Sequence, residues 1–115
     1  MKKTPVVLVV LALAFATACA QKVNDPADIQ AVTQTVGDFA KAFNAGDTEG
    51  LVSMMTDKTV FADNHFPVAT GKAAVQQMYA AVFGQFSAEF TAPVEDVRVA
   101  GDVAVARGTW TITLT

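Results

Sequence analysis

From Phe86 to Leu114 apolar side chains recur at every second position, and that alternation changes phase once. Phe86, Ala88, Phe90, Ala92 and Val94 fall on one side of an extended chain, whereas Val97 and Val99 fall on the other. A repeat of two is that of a half-buried strand. A slip of phase turns the apolar side toward water unless the chain absorbs one extra residue. Glu95-Asp96 therefore predicts a bulge or sharp bend in a long strand. Ala100-Gly101-Asp102 reads as a turn, and in the strand after it Ala104, Ala106, Gly108, Trp110, Ile112 and Leu114 share a face opposite Arg107, Thr109, Thr111 and Thr113.

Upstream the period is helical. Asp25-Pro26 reads as a capping carboxylate followed by proline at the first helical position, with Asp28 placing negative charge in the first turn. Ile29, Val32, Val36, Phe39 and Phe43 then recur at alternate spacings of three and four, and Asn44-Ala45-Gly46 is a stop signal. Asp47 caps a shorter helix that buries Leu51, Met54 and Met55. Thr59 to Asp63 is the first strand, Asn64 to Thr70 a loop containing Pro67. Gly71 opens a third helix with Val75, Met78, Tyr79, Val82 and Phe83 as its stripe, and Gly84 ends it. Helix, helix, strand, helix and then long antiparallel strands make an α+β domain. The alternation reaches Thr115 with no turn or polar tail, leaving an edge that natural sheets avoid, so the chain is expected to be a fragment lacking its C-terminal strands.

The first residues belong to a different problem. Lys2 and Lys3, the apolar run Val6 to Phe15 and the small residues Thr17-Ala18-Cys19-Ala20 make an export signal over residues 1–20. Ten apolar residues are too few to span a bilayer, which takes roughly 20. Two cleavage readings stand side by side. Ala18-Cys19-Ala20 fits a small-x-small site that releases a chain starting at Gln21. Ala16-Thr17-Ala18-Cys19 resembles a bacterial lipobox, with a signal of residues 1–18 and Cys19 lipidated. Cys19 is the sole cysteine, and an unpaired thiol has no disulfide use in an oxidising compartment, which favours the second. The expectation is an exported bacterial protein, periplasmic or anchored to the membrane through Cys19, with residues 21–28 as a tether and 29–115 as one domain.

Without Lys2 and Lys3 the chain has six basic residues against eleven acidic ones and no basic cluster. Phosphate contacts need Lys or Arg, so nucleic acid is not an expected partner.

The run Phe43-Asn44-Ala45-Gly46-Asp47-Thr48-Glu49-Gly50-Leu51 resembles the helix-to-helix junction of the ketosteroid isomerase, SnoaL-like polyketide cyclase and nuclear transport factor 2-like superfamily. The strand Thr59 to Asp63, Gly71-Lys72-Ala73-Ala74-Val75 and the strands after Phe86 follow the same pattern, so the resemblance spans roughly residues 29–115. It implies a cone-shaped domain in which a strongly curved antiparallel sheet wraps three N-terminal helices around one apolar pocket, in a homodimer formed through the sheet. Counted without gaps from the junction, Asp63 falls where the isomerase keeps its aspartate general base. Phe39 falls where that enzyme has an oxyanion-donating tyrosine. Phenylalanine donates no hydrogen bond, and losing such a donor costs about two to three orders of magnitude in rate, so steroid isomerisation is not expected.

The residues themselves leave Asp63 open between two roles. If Phe61 faces the pocket, Asp63 two positions on reaches its rim, where loss of water makes a carboxylate a better base. Equally, Asp63-Asn64 suits a turn in which the carboxylate accepts backbone hydrogen bonds. His65 lies within reach of Asp63 for a proton shuttle, although an exposed loop histidine is the simpler reading. One His, one nearby Asp and no cysteine make no metal site, and no cofactor fingerprint is present. Phe39, Phe43, Phe61 and Tyr79 are pocket candidates. Trp110 is another, although a core position suits it better. The functions compatible with this set are a domain binding a small apolar or amphipathic molecule, an isomerase or cyclase-type enzyme using Asp63, and a dimerisation module with a filled interior.

Overall fold

Asp25 sets the start of the first helix: its Oδ1 accepts the Ala27 N–H at 2.9 Å, and Pro26 occupies the first turn, where no N–H is needed. The computed structural model describes residues 21–115. The expected export signal and Cys19 lie outside the described residues. Helix α1 runs Pro26–Asn44, α2 Thr48–Ser53 and α3 Lys72–Gln85. The strands are β1 Val60–Asp63, β2 Phe66–Thr70, β3 Ala88–Thr91, β4 Val94–Ala100, β5 Val103–Gly108 and β6 Thr111–Leu114. Three helices ahead of a long antiparallel hairpin give the expected α+β order.

The turn between α1 and α2 depends on three residues, Asn44, Gly46 and Asp47. Gly46 adopts φ +64°, a left-handed conformation that a side chain disfavours. Asp47 caps α2 by accepting the Gly50 N–H at 2.9 Å. Asn44 uses its amide as a substitute strand, donating from Nδ2 to the Phe90 carbonyl at 2.9 Å and accepting the Phe90 N–H on Oδ1 at 2.6 Å. The end of α1 is thereby tied to the free edge of β3.

The strands pair as three two-stranded ladders: β1 with β2, β3 with β6, and β4 with β5, all antiparallel. The sheet is not closed. In the long hairpin Thr91 pairs with Thr111 and Val94 with Gly108, and the residues between them leave the ladder. The register then slips between Val94 and Asp96, so the predicted bulge is at Glu95. It turns Val97 and Val99 inward against α1, where both are buried. Phe43, Leu51, Val75, Tyr79 and Phe90 form the main core cluster. Leu51 and Val75 are fully buried, each worth about 1.5–3 kcal/mol over an exposed position.

Four details differ from the sequence reading. Residues 66–70 are a strand, not part of a loop; Pro67 is accommodated because the β1–β2 ladder shifts register between Phe61 and Asp63, where its missing N–H costs no regular bond. Helix α3 passes through Gly84 and ends at Gln85, since a helical glycine weakens but does not stop a helix packed on one side. Helix α1 begins inside the stretch assigned to the tether. Just ahead of it Asn24 makes two hydrogen bonds to the Val99 backbone, accepting the Val99 N–H on its side-chain Oδ1 at 2.9 Å and donating its own backbone N–H to the Val99 carbonyl at 2.8 Å. Trp110 is 55% exposed rather than in the core, because it falls in the break between β5 and β6. Among the described residues no helix is long and apolar enough to cross a membrane.

Candidate functional site

A cavity of about 310 Å³ lies between α1, α3 and the strands. Helix α1 contributes Phe39 and Phe43, one turn apart, and β1 contributes Phe61 and Asp63, two residues apart and so on one face. Val75, Tyr79 and Val82 come from α3 at helical spacing. Phe90, Trp110 and Ile112 close the side formed by the long hairpin.

The aromatic rings fix one another. Phe43 meets Phe83 edge-on, with ring centroids 5.1 Å apart, and Tyr79 at 5.8 Å with the planes at 90°. Tyr79 also lies 5.7 Å from Phe61 and stacks with Phe83 at 6.0 Å. Trp110 stands edge-on to Phe90 at 5.9 Å, its exposed side toward solvent. Edge-to-face pairs of this kind hold orientation beyond simple burial, so the wall formed by α1, α3 and β3 is pre-shaped.

Among the described residues, Asp63 and Tyr79 are the ionisable side chains on this wall, and no Lys, Arg or His reaches it. The Asp63 side chain is 31% exposed. Its Oδ1 accepts the His65 backbone N–H at 2.7 Å and lies 3.2 Å from His65 Nδ1. The turn role and the pocket position, alternatives in the sequence, therefore coexist in one residue. Tyr79 is only 3% exposed, and burial, reinforced by the negative charge of Asp63, pushes its hydroxyl up to about 12. A neutral or cationic guest suits such a wall better than an anion.

The structure thus brings Phe39, Phe43, Phe61, Asp63, Tyr79 and Trp110 together around one cavity. His65 stands apart: its side chain is 84% exposed in the β1–β2 turn and does not reach the cavity wall. Arg107 is exposed on β5. Phe66, Met55 and Phe90 also line the space and were not singled out from the sequence as pocket residues. Phe66 was obscured by the loop reading of residues 64–70, while Phe90 carried its signal in the alternation after Phe86. Among the described residues no three His, Cys, Asp or Glu side chains converge as a metal-ligand set.

The sequence model of a family described as "SnoaL-like domain" matches residues 36–115. No curated protein matches the chain. Among solved structures, a ketosteroid isomerase-like protein from Erwinia carotovora atroseptica is 21% identical with a TM-score of 0.65, covering 76% of this chain and 75% of that one. A domain of unknown function with a cystatin-like fold from Nostoc punctiforme is 17% identical with a TM-score of 0.68, over 79% of this chain and 58% of that one. A nuclear transport factor 2-like protein of unknown function from Pseudomonas putida is 20% identical with a TM-score of 0.61, over 71% of this chain and 60% of that one. At these identities what is shared is the fold.

Proposed function

The chain belongs to the SnoaL-like domain family, within the nuclear transport factor 2-like superfamily, and from that membership we propose that it binds a small apolar or amphipathic molecule between its helices and strands. The observation that carries this reading is a cavity of about 310 Å³ with an apolar, aromatic wall and, among the described residues, one carboxylate, Asp63. That volume is at the lower end of small-molecule pockets, roughly 300–1,000 Å³, and suits a guest of one or two fused rings. An unfilled interior of this size also weighs against a dimerisation module with a filled core. Calorimetric titration with neutral bicyclic ketones and alcohols, and with the matching carboxylates, tests it. The neutral compounds should bind saturably and the carboxylates more weakly, because Asp63 repels them and no cationic side chain among the described residues lines the cavity to offset their desolvation. Absence of saturable binding by every neutral compound refutes the reading.

A second reading is supported by the position of Asp63 on the cavity wall. In an isomerase or cyclase-type reaction its carboxylate takes a proton from carbon next to a carbonyl, with Oδ1 oriented by the His65 N–H. The expected result is deuterium exchange into such a ketone that disappears in Asp63→Asn while affinity stays within a few-fold. No exchange above buffer with the wild type retires this reading for the ketones tried. Phe39, whose side chain has no O–H or N–H to donate, weighs against steroid isomerisation.

We also propose that residues 1–18 act as a signal that exports the protein from a bacterial cell and that Cys19, then the first residue, attaches it to lipid. Incorporation of a labelled fatty acid that is lost in Cys19→Ala supports this, and equal labelling of both refutes it. A homodimer through the outer face of β4 and β5 is proposed on the exposure of Val23, Val103 and Val105. Val103 and Val105 pair with Ala100 and Arg98 on that side, opposite the buried Val97 and Val99.

A further inference from the structure

Tyr79 is buried to 3% exposure, yet its hydroxyl makes no hydrogen bond among the described residues. The described residues also contain no sealed side-chain oxygen that lacks a partner. Both statements hold only if the Tyr79 oxygen keeps an opening, and the space its side chain borders is the cavity. Leaving a phenol unpaired in apolar surroundings is costly, so natural cores usually give a buried tyrosine a partner from the protein.

The ring cannot readily turn its oxygen elsewhere. Phe43 meets it at 90°, Phe61 at 69°, and Phe83 lies nearly parallel at 12°. The hydroxyl is therefore held in place before any guest arrives, which reduces the entropy lost on binding. Other polar groups border the same space. Trp110 carries an N–H but is 55% exposed; Thr59, just ahead of β1, is half-buried; Asp63, when ionised, only accepts. Phe39, beside Tyr79 at 6.4 Å between ring centroids, has no polar atom.

We propose that the Tyr79 hydroxyl is the hydrogen-bond donor of the cavity and that the bound molecule carries a carbonyl or comparable neutral acceptor oxygen, the rest of it being apolar. This rests on the ligand-binding reading and narrows the class of guest. With its pKa near 12, the phenol stays protonated and able to donate across the physiological range. It accounts for selectivity by functional group, which the aromatic wall alone does not supply.

The test compares acetylnaphthalene with ethylnaphthalene, two probes of nearly equal size of which only the first has a carbonyl. Each is titrated into the wild type and Tyr79→Phe, a substitution that keeps the ring. Loss of one neutral hydrogen bond should weaken acetylnaphthalene about five-fold in the variant and leave ethylnaphthalene unchanged. In the wild type, the infrared carbonyl stretch of bound acetylnaphthalene should move to lower wavenumber than in hexane, a readout independent of whether the variant folds. Equal effects of the substitution on both probes, or an unshifted carbonyl band, overturn the tyrosine proposal and leave ligand binding standing. Failure of both probes to bind the wild type removes the proposal together with the reading beneath it.

Discussion

A carboxylate at the end of a strand has two oxygens to satisfy, and at Asp63 the turn supplies partners for one of them. Oδ1 takes the His65 N–H, and among the described residues Oδ2 has no hydrogen-bond partner. Asp63 also acts at a distance, because its charge adds to burial in raising Tyr79. Asp63→Asn removes that charge and should lower the Tyr79 pKa, though not to the ordinary value of 10.0, since burial, the larger cause, persists. Spectrophotometric titration of the lone tyrosine reads this directly; an unchanged or higher value contradicts it. Stability follows with a definite sign. A folded pKa above the unfolded one favours the native state fully below about pH 10, and the benefit disappears as pH rises to about 12. The loss amounts to roughly 2–3 kcal/mol, and Tyr79→Phe should flatten that part of the pH–stability curve. Strand and helix periodicity put Asp63 on the same side as Phe61 and Tyr79 on an apolar stripe, and the pocket they border was implied only by the family resemblance. Periodicity could not give their mutual influence, which depends on a packing of α3 against β1 that no local pattern encodes.

At the scale of elements, short-range chemistry was the readable part. The caps at Asp25 and Asp47, the turn at Gly46 and the bulge at Glu95 each follow from a few neighbouring residues, and each is where the pattern put it. Strand β2 was not readable, because Pro67 and the register shift break the alternation that identifies a strand. Nor was the reach of Asn44 to Phe90, separated by 46 residues. Asn44→Ala removes both bonds to β3 and should cost about 1–3 kcal/mol in urea unfolding. Asn44→Asp should not rescue it, since a second acceptor then faces the Phe90 carbonyl; a loss below about 0.5 kcal/mol for the alanine variant speaks against the tie. Two glycines make an opposed pair. A Cβ on Gly108 runs into the Pro93 carbonyl oxygen across the bent hairpin, whereas one on Gly84 meets nothing within 4 Å. Gly108→Ala should destabilise by about 1–3 kcal/mol, and Gly84→Ala, in the last turn of α3, should stabilise by at most about 0.5–1 kcal/mol. Equal effects of the two would mean that the hairpin is not bent at this point.

At the scale of the whole molecule, the helices and strands leave a space that none of them contains alone. Sequence periodicity nominated Phe39, Phe43, Phe61, Tyr79 and Trp110 separately, and the fold gathers them around one cavity. Enclosure is a long-range property, set by how α1 and α3 lie on the strands, so it was accessible only through resemblance to a known architecture. The exposure of Trp110 has the same origin, since it depends on the break between β5 and β6 rather than on the alternation that marked the residue as apolar. The proposed dimer also belongs to this scale. Val105→Lys should convert a sedimenting dimer to monomer with the fold intact, and an unchanged sedimentation coefficient places the contact elsewhere. The central claim is that this space admits a small molecule, and intermolecular nuclear Overhauser effects from bound acetylnaphthalene test it most directly. They should connect the probe to the methyl groups of Met55, Val75, Met78 and Leu114 and to the Trp110 ring. Contacts confined to Val103 and Val105 on the outer face, or no contacts under saturating probe, would contradict it.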